Sequence, residues 1–132
     1  MYDIPTDLHY SQDHLWVRAD PDRGVVRVGI TDFAQQSLGD VVTVTLPEPG
    51  ETLAAGEACG EIESTKSISD LIAPVAGTVR TLNDGLENTP DLVNTDPYGE
   101  GWMFDVEVPP SGLAEELNAL MDAATYQALV SQ

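Results

Sequence analysis

Side chains able to do covalent chemistry are scarce in this 132-residue chain. Its cations are Arg18, Arg23, Arg27, Arg80 and Lys66, so an acylatable amine is kept at one internal position. A guanidinium stays protonated at any working pH and is a poor nucleophile, whereas a lysine amine can lose its proton and be acylated. Position and composition alone leave Lys66 open between a solvated turn residue and a modification site. Cys59 is the one thiol, which excludes an internal disulfide, a C-x-x-C redox pair and a cysteine-based zinc site. Near the end of an apolar strand it suits a small core residue better than a nucleophile, so redox chemistry has to be imported. Glu61 and Glu63 alternate on one strand face and could be mistaken for a catalytic carboxylate pair. A solvated face, or a recognition surface for a modifying enzyme, fits them better. His14 next to Trp16 suits a hydrogen-bonded structural role, and His9 carries no spacing signal. The glycine-rich stretch around Tyr98 is turn geometry, because no helix start follows it to cradle a phosphate. With no triad, metal cluster or phosphate loop, an enzyme in its own right is the weakest expectation.

The elements that must position Lys66 read as short strands with frequent punctuation. Residues 14–18 and 25–30 alternate apolar and polar around P-D-R-G (21–24), as an antiparallel pair does. Residues 31–38 break the alternation: Phe33, Ala34 and Leu38 recur at helical spacing, Thr31 can cap the first amides and Gly39 can end the helix. Strand pattern returns at 41–46 and at 58–63. The polar S-T-K-S then separates that strand from 69–72, which runs on through 73–82, so the segment reads as a β-hairpin with Lys66 at its tip. Residues 83–101 are dense in turn formers and read as an ordered loop, anchored by Leu86, Leu92, Val93 and Tyr98. Residues 102–108 form the last strand. Beyond Pro109 and Pro110, Leu113, Leu117, Leu120 and Met121 recur with helical spacing, and Asp122 can cap a second short helix through Tyr126, Leu129 and Val130.

Composition bounds the function. Five basic residues against 23 acidic ones give a net charge of −18, with 42% hydrophobic residues. Phosphate binding depends on Lys and Arg displacing counterions, so nucleic acid and anionic membranes are excluded as ligands. The hydrophobic content suffices for a single domain over 1–132. The opening residues lack a basic, then apolar leader, and no run reaches a membrane-spanning length, so a cytoplasmic monomer is expected. The expected fold is mainly β: a compact sandwich or barrel with helical appendages.

The run G-E-I-E-S-T-K-S-I-S-D-L-I-A-P-V-A-G-T-V (60–79) resembles a lipoyl-attachment hairpin, with Ala73, Pro74 and Gly77 as its A-P-x-x-G element. Biotin carriers flank the lysine with methionines; here Thr65 and Ser67 stand beside it. Further blocks follow in order: H-L-W-V (14–17), V-G-I-T-D-F-A-Q (28–35), L-G-D-V-V (38–42), L-P-E-P-G (46–50), S-D-L-I-A-P-V-A-G (69–77), L-V-N-T-D-P-Y-G-E-G-W (92–102) and L-N-A-L-M-D-A-A-T-Y (117–126). Together they resemble the H-protein family of the glycine cleavage system over nearly the whole chain. The resemblance implies a barrel-sandwich hybrid of antiparallel sheets with a short internal helix and C-terminal helices. It also implies lipoate on Lys66, with Glu63, Ser64, Thr65, Ser67 and Asp70 around the cofactor and Asp70 placed to attract a cationic aminomethyl group. Such a carrier has no turnover of its own. It shuttles that group among a pyridoxal-phosphate glycine decarboxylase, a folate-dependent aminomethyltransferase and a dihydrolipoyl dehydrogenase, after a lipoylating enzyme has installed the arm.

Roughly ten single bonds of about 1.5 Å give that arm a reach on the order of 10 Å, enough to offer one sulfur to several active sites. One departure stands out: the family commonly has an acid between the histidine and tryptophan of the first strand, where this chain has Leu15. Thr65, where valine is common, keeps the β-branch. Two alternatives stay open: a lipoyl relay that donates its group to 2-oxoacid dehydrogenases, and an unmodified acidic interaction module.

Overall fold

A computed structural model describes residues 2–20 and 22–131. Pro21, the first residue of the turn expected at 21–24, lies outside them, as do Met1 and Gln132. In chain order the elements are β1 (His9–Tyr10), β2 (Leu15–Asp20), β3 (Val25–Ile30), α1 (Asp32–Leu38), β4 (Val41–Thr45), β5 (Thr52–Leu53), β6 (Ala58–Ser64), β7 (Ile68–Ile72), β8 (Gly77–Leu82), α2 (Gly85–Asn88), α3 (Leu92–Thr95), β9 (Phe104–Glu107), α4 (Pro110–Asn118) and α5 (Ala123–Val130).

Strands with one apolar face must bury it against a second layer. Here the layers are a six-stranded sheet, in the order β1-β2-β3-β9-β8-β5, and a three-stranded sheet, β4-β6-β7, and every strand pairing is antiparallel. Between them lies the main core: Val17, Val28, Phe104 and Val106 from the larger sheet, Val41, Ile62 and Leu71 from the smaller. A second cluster of Leu8, Tyr10, Trp16 and Tyr126 forms on the other face of β2, beneath α5. There the Tyr10 and Tyr126 rings stack with centroids 4.7 Å apart. The architecture is the mainly β barrel-sandwich with a short internal helix and C-terminal helices that the resemblance implies.

Several local details differ from the sequence reading. The outgoing arm of the hairpin does not run unbroken through 73–82: β7 ends at Ile72 and β8 starts at Gly77, in the other sheet. Pro74, in the gap, has no N–H to give a ladder, which suits a crossing between sheets. The ordered loop at 83–101 contains α2 and α3, each four residues long, and these bury Leu86 and Val93. The helix expected to carry Leu120 and Met121 stops at Asn118, and Met121 bridges to Tyr10 instead. Asp122 does cap α5, its side chain accepting from the Thr125 N–H.

The larger sheet's outer face holds the arginines in local partnerships. Arg27 makes two hydrogen bonds, at 3.0 and 3.2 Å, to the buried Asp105 carboxylate. Its guanidinium also lies 3.8 Å from the Trp102 ring centroid. A planar fork over an aromatic face suits Arg and not Lys. No helix among the described residues is long and apolar enough to cross a membrane.

Candidate functional site

The β6–β7 hairpin narrows to Thr65 and Lys66 between two serines. Ser64 N–H donates to the Ser67 carbonyl at 2.8 Å. Ser64 is itself buried, and its hydroxyl accepts from the Lys66 and Ser67 N–H groups while donating to the Ser67 carbonyl. A serine oxygen that satisfies its neighbours' amides fixes a tight turn without regular ladder bonds. Thr65 N–H donates to the Asp40 carbonyl at 3.0 Å, tying the turn to the start of β4. The backbone under Lys66 is therefore held, while its side chain is exposed. Among the described residues no carboxylate pairs with it.

The lysine stem passes over Gly39, the C-cap of α1. A Cβ at that position would lie 2.9 Å from Lys66 Cε and 3.5 Å from Nζ. Gly39 also has φ 78 and ψ −158, a backbone region that side-chain-bearing residues avoid. Asn94 of α3 clamps this corner. Its side-chain amide donates to the Gly39 carbonyl at 2.8 Å and to the Gln35 side chain at 3.1 Å, while its oxygen accepts from Val41 N–H at 2.9 Å.

Beside the hairpin lies a cleft of about 230 Å³ between α1, the start of β2 and β7. Phe33, Leu38, Ile62 and Leu71 give it apolar walls, and Asp13, Asp70 and Ser67 of the Lys66 turn are also in its lining. His14 stands on its floor with φ 70, its Nδ1 2.9 Å from the Tyr126 hydroxyl. The same hydroxyl lies 2.7 Å from Thr31 Oγ1, the atom that caps α1 by accepting from Ala34 N–H. Burial lowers the His14 pKa below its usual value, partly opposed by the nearby Asp13 charge, and pushes the Tyr126 hydroxyl up to about 12. His14 is thus a neutral structural histidine at neutral pH, as its place in the sequence suggests.

The residues singled out from the sequence fall into three groups. Lys66, Thr65 and Ser67 form the turn; Ser64 builds it from inside. Glu63 and Glu61 are exposed on the outer face of the small sheet, opposite Ile68 and Asp70 respectively, and Asp70 also reaches the cleft. Leu15 lines the cleft but is only 2% exposed and belongs to the core, so an acid there would trade core burial for charge. Cys59 packs against the core, its thiol pushed up to about 11 chiefly by burial, which suits a space filler. The sequence alone does not single out Gly39, Asn94 or Tyr126 as site residues. All three lie in sequence blocks already noted, but their roles depend on contacts that local spacing does not encode. Among the described residues no cluster of His, Cys, Asp or Glu is placed to hold a metal.

The cleft thus combines apolar side chains with two aspartates. The family described as glycine cleavage H-protein matches residues 8–132. The glycine cleavage system H proteins of Mycobacterium avium (strain 104) and Mycobacterium leprae (strain TN) are each 56% identical to this chain over 133 residues, covering all of both sequences. The crystal structure of a glycine cleavage system H protein from Mycobacterium marinum superimposes with a TM-score of 0.87 at 43% identity, covering 98% of this chain and 100% of that one.

Proposed function

Since the chain belongs to the glycine cleavage H-protein family, we propose that it is a non-catalytic carrier, lipoylated on Lys66, that works in the cytoplasm as a single domain spanning 1–132. The observation that carries this is the sole lysine, presented on a rigid turn, with no carboxylate among the described residues paired to it, beside a cleft suited to an acyl chain. When bound, lipoate supplies the dithiolane that accepts the aminomethyl group of glycine from the decarboxylase, gives it to the aminomethyltransferase and is reoxidised by the dihydrolipoyl dehydrogenase.

The chain's own residues do the positioning. Ser64 and the Asp40 carbonyl fix the turn, so the freedom of the arm starts at the Lys66 side chain and not in the backbone. Gly39 leaves room for the stem, and Asn94 holds Gly39 in place. Asp13 and Asp70 offer negative charge to the end of the arm when it lies in the cleft, and the apolar walls exclude water from its methylenes. On this reading the negative charge facing the arm comes from these two aspartates and not from position 15, where this chain has Leu.

The test is the intact mass of the protein purified from its native host grown with lipoate. A lipoyl adduct mapped to Lys66 is the expected result. A bare Lys66 under those conditions overturns the reading in favour of an unmodified acidic module.

A further inference from the structure

Among the described residues just two large hydrophobic side chains are exposed, Val42 at 46% and Ile68 at 63%. Isolated exposed apolar residues are ordinary on a protein surface. Their placement is not scattered, however. Both lie on the three-stranded sheet that carries the Lys66 turn, Val42 on β4 and Ile68 on β7, with β6 between them. Strands in a sheet are about 4.8 Å apart, so the two lie on the order of 10 Å from one another. The pairing Thr43↔Glu63↔Ile68 runs across all three strands at this level, and directly paired residues share a face. A register shift between Val41 and Thr43 leaves the consecutive residues Val42 and Thr43 both exposed.

Apart from Lys66 itself, the charges around the pair have one sign. Asp40, Glu61, Glu63 and Asp70 are all exposed, and Glu61 sits directly opposite Asp70. Like charges at paired positions weaken a sheet, so folding alone does not favour this arrangement. The balancing cations lie elsewhere: Arg18 and Arg27 pair across β2 and β3, and Arg80 on β8 meets Glu107, all in the other sheet.

We propose that this face of β4-β6-β7 is the docking surface for the enzyme that acylates Lys66, and that its complement is an apolar contact ringed by Lys and Arg. This rests on the reading that Lys66 is lipoylated, and it names the surface that delivers the amine. Val42 and Ile68 supply the desolvated centre, and Glu61, Glu63 and Asp70 supply the charged rim that sets orientation. In the delivered geometry the deprotonated Nζ attacks the carbonyl carbon of a lipoyl-adenylate held by the enzyme. The amide C–N bond forms, the C–O bond to the adenylate breaks, AMP leaves with that electron pair, and the amine proton passes to solvent.

The experiment uses the full unmodified chain, a purified lipoate ligase, lipoate and ATP, with Lys66 acylation followed by mass spectrometry. For the double variant Val42→Ser, Ile68→Ser, kcat/KM should fall about tenfold or more, mainly through KM, as for loss of a small apolar hot spot. A water-soluble acetyl ester, which needs no docking, should acetylate Lys66 at the parental rate in the same variant. Glu61→Gln with Glu63→Gln should flatten the salt dependence of ligase kcat/KM. Parental ligase kinetics in the double variant overturn the docking surface and leave lipoylation intact. An equal slowing with the small ester also overturns it, because the residues would then be shaping the turn. A parent chain that the ligase leaves bare overturns both the surface and the function it rests on.

Discussion

Lys66→Arg keeps the positive charge and the flexible stem at an exposed turn, so stability should change by less than about 0.5 kcal/mol. The guanidinium cannot be acylated under the same conditions, and no second lysine exists to replace it. The expected outcome is a parental melting temperature, no adduct by mass, and no glycine-dependent NADH formation with the three partner enzymes, folate and NAD. A large drop in melting temperature would instead mark Lys66 as structural. At His14 the relevant variable is pH. Its folded-state pKa is lowered from 6.5 chiefly by burial, so the unfolded chain binds the proton more readily. The resulting stability is complete above 6.5 and is lost as pH falls below it toward the folded-state value. Asn tolerates the positive φ of this position, so His14→Asn should flatten the fall in melting temperature between about pH 7 and 5.5. An unchanged slope would show that the proton is taken up elsewhere.

The end of α1 ties local geometry to the lysine. Gly39→Ala introduces a Cβ at positive φ and places it 2.9 Å from Lys66 Cε. Backbone strain of this kind costs roughly 1–3 kcal/mol. Thermal melts should register that loss, and peptide mapping should show a changed rate of Lys66 acetylation as the stem is displaced. The helix was legible in the sequence because its signals are local: Thr31 at its start, Gly39 at its end, and apolar residues at helical spacing. So was the hairpin, since S-T-K-S separates two apolar arms. The two-residue strands β1 and β5 were not, because only their partners define them: Tyr10 pairs with Trp16, and Leu53 with Gly77. Nor was the change of sheet after Ile72, which depends on where β9 stands to receive β8. The acylatable residue was thus readable from sequence, while the cleft beside it was not. Its walls come from segments as distant as Asp13 and Leu71 and meet only in the folded chain.

For the molecule as a whole, a charge of −18 means that partners carrying basic patches should meet it by electrostatic steering. Raising salt from about 0.05 to 0.5 M shortens the Debye length to roughly 4 Å, and association with the decarboxylase should slow accordingly in stopped-flow measurements. A rate that ignores salt would count against steering.

The hydrogen bond between His14 and Tyr126 joins residues 112 positions apart, and the same hydroxyl meets Thr31 across 95. This bears on synthesis as well as on the finished fold. Lys66 and the strands around it leave the ribosome long before α5 does, so the growing chain displays its amine while the cleft floor still lacks the hydroxyl that orients His14 and Thr31. His14 and Thr31 gain their shared hydroxyl partner only when the last helix folds back onto Tyr10 and Trp16.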